Sequence, residues 1–148
     1  ADFQFIGSRV GQFKIETKDI QITESRTQIT TDFDYNIKEV KKLEDNYFGC
    51  IEFMTIIKAK VKNTFLFKIN LSMEGAFTGN SSKLTLEKFQ EMLELNGLVT
   101  LSQLSRSYIL SVTALSGINP PVKLPMINVV SLRQHKKTEL EKTKHVNS

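Results

Sequence analysis

The chain has 148 residues, enough to bury one continuous core but short for two, and its 40% hydrophobic and 24% charged residues exclude a disordered segment as the starting expectation. Three of the four excess positive charges fall after Leu132, where Arg133, Lys136, Lys137, Lys142 and Lys144 face only Glu139 and Glu141, so the body is nearly neutral. No apolar run reaches the roughly 18 residues that cross a bilayer, the start Ala1-Asp2-Phe3-Gln4 lacks the form of a signal peptide, and Cys50 alone can close no internal disulfide, so a cytoplasmic location is expected.

The first three-fifths of the chain alternates apolar and polar residues, the period of a strand with one buried face. Phe13 and Ile15, then Ile20 and Ile22, predict one long or broken strand. A second run places Ile29, Thr31, Phe33, Tyr35 and Ile37 on one face and Thr30, Asp32, Asp34, Asn36 and Lys38 on the other. The third run is Tyr47, Gly49, Ile51, Phe53, Thr55, Ile57, Ala59 and Val61, and the fourth is Phe65, Phe67, Ile69, Leu71, Met73, Gly75 and Phe77. Only Lys62-Asn63-Thr64 separates these last two, which demands an antiparallel hairpin. Four antiparallel strands are expected.

Past Gly79-Asn80-Ser81-Ser82 the period becomes helical. Thr85 is placed to cap a helix from Leu86, with Leu86, Phe89, Met92 and Leu93 on one face. Asn96-Gly97 predicts a stop or kink, after which Leu101, Leu104, Tyr108, Val112 and Leu115 continue a stripe. Beside it Ser105, Ser111 and Ala114 are small enough to let another helix approach. Gly117 suits the left-handed position after a helix, Pro120-Pro121 forbid continuation, and Val122 to Leu124 should be extended. Pro125 would open a last helix running into the charged tail. Strands first and helices second predict an α+β fold, with one domain over residues 1–132 and a basic, partly helical or flexible tail over 133–148.

Reaction chemistry is hard to find in these residues. The seven glycines form no phosphate-binding loop, and His135 and His145 stand in the tail without a Cys or carboxylate at ligand spacing, so no cofactor, metal or enzyme activity is expected. Cys50 lies on the polar parity of its strand and reads as a small edge or interface residue. Asp32 and Asp34 share a face that continues into Asn36 and Lys38, which reads as solvated surface. The tail lysines offer phosphate contacts without specificity, and no aromatic residue in the tail offers base stacking. Nucleic acid is therefore the weaker alternative, and with only Leu140 and Val146 as apolar anchors after Leu132 no membrane-surface role is expected.

One segment is more specific. Gly117-Ile-Asn-Pro-Pro-Val-Lys-Leu-Pro-Met-Ile-Asn128, following helical Ser111-Val-Thr-Ala-Leu-Ser116, resembles the end of the SecB export-chaperone family. The strand Phe13-Lys-Ile-Glu-Thr-Lys-Asp-Ile20 is similar to that family's opening strand, and the strand Phe65 to Gly75 with its following turn matches as well. Order and spacing, over most of residues 3–132, carry the resemblance.

It implies a four-stranded antiparallel sheet with a long helix and a shorter terminal helix, assembled as a dimer of dimers. It also implies that unfolded or slowly folding chains are held without ATP in apolar grooves. The client-binding residues it carries over are Phe33, Tyr35 and Ile37 from the second strand, Val122 and Leu124 from the crossover, and Met126, Val129, Val130 and Leu132 from the last helix. The long helix would supply the oligomer interface through Leu104, Tyr108, Ser111, Val112 and Leu115. Typical members are acidic and many engage the SecA motor through their tail, in some through zinc. This chain is basic and ends without a Cys, so SecA as a partner stays open, beside a chaperone dedicated to one client such as an antitoxin, or a module that binds one folded partner.

Overall fold

The computed structural model describes residues 1–18, 27–118 and 120–146. Four long strands, β1 (Phe3–Thr17), β2 (Gln28–Leu43), β3 (Asn46–Val61) and β4 (Thr64–Asn80), form one antiparallel sheet in the order β1-β4-β3-β2. The two-residue alternation dictates which face is buried. Ile51, Phe53, Thr55, Ile57 and Ala59 of β3 are fully buried, and Ile69, Leu71, Met73 and Phe77 of β4 nearly so, whereas Glu52, Met54 and Ile56 between the first set face outward.

Strand β1 begins ten residues before Phe13, further back than the alternation suggested. Two register irregularities, at Ile6 and Gly11, interrupt its period, and Gly7, Ser8 and Arg9 between them break the apolar pattern. Ile20 and Ile22 lie outside the described residues. The two hairpins turn at Glu44 and Lys62, each with positive φ (54° and 53°). Cys50 is on an inner strand rather than at an edge, because β3 is paired on both sides.

Helix α1 (Leu86–Leu115) lies across the inner face of the sheet. Thr85 caps it as expected, its hydroxyl accepting from the Lys88 N–H at 3.1 Å. A stop at Asn96-Gly97 is absent: one helix runs through it for 30 residues. Gly97 is there for closeness, since a Cβ at that position would stand 2.9 Å from Ile51 Cγ2. Phe89, Leu93, Leu98, Leu101 and Ile109 are fully buried against the sheet. Ser105 is buried among them, its Oγ 4.0 Å from Met73 Sδ, so it meets the chain's own sheet rather than a second helix; Ser111 and Ala114 are exposed.

Gly117 takes the left-handed conformation (φ 82°), and the Ile118 N–H returns to the Thr113 carbonyl at 3.1 Å. An extended crossover then leads to α2 (Val129–Val146). This helix starts four residues later than Pro125, because the Asn128 side chain accepts from the Ser131 N–H at 3.0 Å and sets the cap there. Met126 accordingly belongs to the crossover and not to the last helix. No described helix is long and apolar enough to cross a membrane.

Candidate functional site

The outer face of the sheet carries a row of charges that crosses all four strands. Arg9 of β1 grips Glu74 of β4 through Nε and Nη2, both 2.8 Å from Oε2. Lys38 of β2 donates to Glu74 Oε1 at 3.0 Å, and Ser72 Oγ donates to Glu52 Oε2 at 3.0 Å. The Lys38 bond, with Arg9 behind it, holds the Glu74 carboxyl below its ordinary value of 4.5 against the opposing effect of burial. Burial pushes the Cys50 thiol up, which favours the unreactive protonated form. His135 lies 2.9 Å from Glu139 on its own helix, and no group of three metal-binding side chains occurs among the described residues.

The inner side of the molecule offers apolar surface instead. Two hydrogen-bonded anchors tie the crossover to α1. Thr113 Oγ1 accepts from the Val122 N–H at 2.9 Å while donating to the Ile109 carbonyl at 2.7 Å. Arg106 donates through Nε and Nη2 to the Leu124 carbonyl at 3.1 and 2.9 Å. Val122 and Leu124, 6% and 4% exposed, are thereby sunk into the core. The next residue along but one, Met126, is 86% exposed, and Val130 at the start of α2 is 72% exposed. Between α1 and the crossover lies a slot of about 170 Å³, with Val99, Leu124, Met126, Ile127 and Val129 on its apolar part and Ser102, Gln103 and Arg106 on its polar part.

At the edge of the sheet α2 covers β2. Tyr35 is 4% exposed and its hydroxyl donates to Glu94 Oε1 at 2.6 Å. Burial first, and that bond second, push its phenol far above the ordinary value, so it stays a neutral donor. Phe33 stacks on Phe53 with ring centres 5.6 Å apart and is half-buried, while Ile37 is 40% exposed. Asp34, read as solvated, accepts from Lys136 of α2 at 3.1 Å.

A second opening of about 460 Å³ runs between β1 and α1, lined by Val10, Met73, Leu104, Tyr108, Ser111 and Val112. Four of the five residues expected at an oligomer interface line it. The fifth, Leu115, is 88% exposed near the helix end.

The client-binding set is thus divided. Met126 and Val130 are open, Ile37 partly so, and Phe33, Val129 and Leu132 are half-covered. Tyr35, Val122 and Leu124 belong to the core of this conformation, because the Thr113 and Arg106 anchors and the cover of α2 turn them inward. Val99, Arg106 and Ile127 went unread. Val99, Ser102, Gln103 and Arg106 share a helix face at spacings of three and four, but three polar residues disguise it and the expected break at Gly97 cut it short.

No protein-family model and no curated protein matches the sequence. Among solved structures, the chain is similar to a SecB-like chaperone of Mycobacterium tuberculosis in complex with a ChAD peptide from the HigA1 antitoxin. The likeness has a TM-score of 0.67 at 12% identity and covers 86% of this chain and 91% of that one. A protein of unknown function from Streptococcus agalactiae matches more loosely, with a TM-score of 0.47 at 10% identity over 84% of this chain and 97% of that one. The fold is SecB-like.

Proposed function

We propose that the chain binds polypeptide segments along the apolar strip between α1, the crossover and the start of α2, and holds them without chemical conversion. The observation that carries this reading is Met126, a large apolar side chain 86% exposed on the wall of the Val99 slot, followed at the start of α2 by Val130, 72% exposed. Exposed apolar side chains grouped around a concavity mark interaction sites. Of the three polar side chains on its wall, Arg106 is engaged by the Leu124 carbonyl and the Ser102 hydroxyl by the Val99 carbonyl at 2.8 Å, which leaves Gln103 as the free donor beside the apolar lining. A site built so recognises apolar area rather than one sequence, and a flexible Met adapts to varied partners. Transfer of apolar surface at about 25 cal/mol per Å² favours unfolded segments, whose apolar groups are still in water.

The likeness to a SecB-like chaperone in complex with an antitoxin peptide supports the same reading, with a client segment dedicated to this chain as the alternative to a broad range of clients. The open groove between β1 and α1 is proposed as the subunit contact of a homo-oligomer.

The test is light scattering of a slowly refolding protein diluted from denaturant with stoichiometric amounts of this chain. Suppressed aggregation is expected. Met126→Asp with Val130→Asp should abolish most of it and leave the melting temperature nearly unchanged, because both side chains are outside the core. Unsuppressed aggregation together with no bound peptide would sink the proposal.

A further inference from the structure

Helix α2 meets the body through an inward face that changes character within one turn. Val129 and Leu132 are apolar and pack against the core. The next inward residues are ionic. Arg133 Nε donates to Glu94 Oε1 at 2.8 Å, and Lys136 Nζ donates to Asp34 Oδ1 at 3.1 Å and to Asn36 Oδ1 at 3.0 Å. The same Glu94 oxygen accepts the Tyr35 hydroxyl at 2.6 Å, and the Lys136 ammonium lies 5.8 Å from the centre of the Tyr35 ring. Five side chains from β2, α1 and α2 therefore converge around one buried ring. Past Lys136, the side-chain hydrogen bonds and ion pairs of α2 among the described residues stay within the helix.

An apolar closure over Tyr35 would be the stronger seal. The Asp34–Lys136 pair, whose carboxylate is half-exposed, shifts an open–closed equilibrium by no more than about fivefold, and the Glu94–Arg133 pair, with side chains 17% and 23% exposed, is the more sheltered of the two. What they provide is a closure that can be undone, and undone selectively by charge. Lifting the ionic part of α2 would uncover Tyr35 next to half-buried Phe33 on β2, lengthening the strip that begins at Met126 and Val130.

We infer that α2 is an ion-latched strap, closed by Glu94–Arg133 and Asp34–Lys136 over Tyr35, whose release extends the polypeptide-binding strip along β2. The inference rests on the reading that this strip binds polypeptide. A segment that binds only the open form gains affinity in proportion to the open fraction, so weakening the latch should tighten binding.

The experiment pairs hydrogen exchange of the α2 amides with the affinity for reduced, carboxamidomethylated α-lactalbumin, a permanently unfolded probe. It compares the native chain with Arg133→Met/Lys136→Met and, from the other side of the latch, Asp34→Asn/Glu94→Gln, which keeps the shape of both residues. In both variants α2 exchange should quicken by at least about fivefold, the sheet should keep its protection, and the probe should bind several-fold more tightly. Unchanged α2 exchange in both variants overturns the latch. Faster exchange with unchanged or weaker probe binding overturns its gating of the site. Faster exchange with no probe binding by any form, the native chain included, overturns the binding reading and leaves the latch standing.

Discussion

Glu74 stands directly opposite Glu52 across β4 and β3, an arrangement that like charges ordinarily destabilise. Arg9 and Lys38 on the flanking strands reverse the sign of that effect. The carboxyl of Glu74 is held below its ordinary value of 4.5, so its stabilisation is present above that value and is lost as pH falls through the lower folded-state value. Melting curves between pH 7 and pH 3 should show the native chain losing stability in that window. Glu74→Gln should be less stable at pH 7 and flatter across the same range, the two curves converging at the acid end. Nothing in the sequence exposes this row. Its members are 65 and 36 residues apart, and Arg9 lies in the part of β1 whose period is broken by two bulges. By contrast, the inward residues of β3 from Gly49 to Ala59 and of β4 from Ile69 to Phe77 could be read one by one, since both strands are paired on each side; nearer the hairpin a register shift buries Leu66 and leaves Phe65 and Phe67 partly covered.

For helix α1 two opposed effects meet at Gly97. Glycine in a helix interior is about 1 kcal/mol less favourable than alanine, which is why the pair Asn96-Gly97 looked like a stop. Alanine there would place a methyl 2.9 Å from Ile51 Cγ2, on a branched side chain fixed in the sheet, and overpacking of this kind costs about 1–3 kcal/mol. The clash outweighs the propensity: Gly97→Ala should lower stability by roughly 1–2 kcal/mol, measured by denaturant unfolding. The crossover depends on a different single atom. Thr113→Val would strand the buried Val122 N–H, a loss of about 1–3 kcal/mol, while Thr113→Ser keeps the acceptor and should cost much less. Helix α2 was legible in kind but not in its start. Pro125 is permitted to open a helix, yet the Asn128 side chain is what satisfies the first free N–H groups.

At the scale of the whole molecule, the burial of Tyr35, Val122 and Leu124 shows where a pattern of apolar residues stops being informative. A covered apolar side chain and an open one have the same composition, and the Arg106 and Thr113 anchors and the placement of α2 decide which are covered in this conformation. The proposed subunit contact is open to a direct check. Light scattering after size exclusion should give an oligomer for the native chain, and Val10→Lys with Val112→Lys, both lining the groove, should give a folded monomer.

Strand order carries one more consequence, for how the molecule is made. Strands β2, β3 and β4 follow one another as hairpins, but β1, the earliest part of this sequence to be synthesised, has its neighbour in β4. Its nearest partner residue to Thr17 is Phe67, about fifty positions later, so on the ribosome β1 waits on the order of several seconds for a place in the sheet. During that interval an unpaired strand bearing Phe3, Phe5, Phe13 and Ile15 is free to enter the sheet of another nascent copy, and exchanged β1 strands are the misassembly to look for when the chain is overproduced.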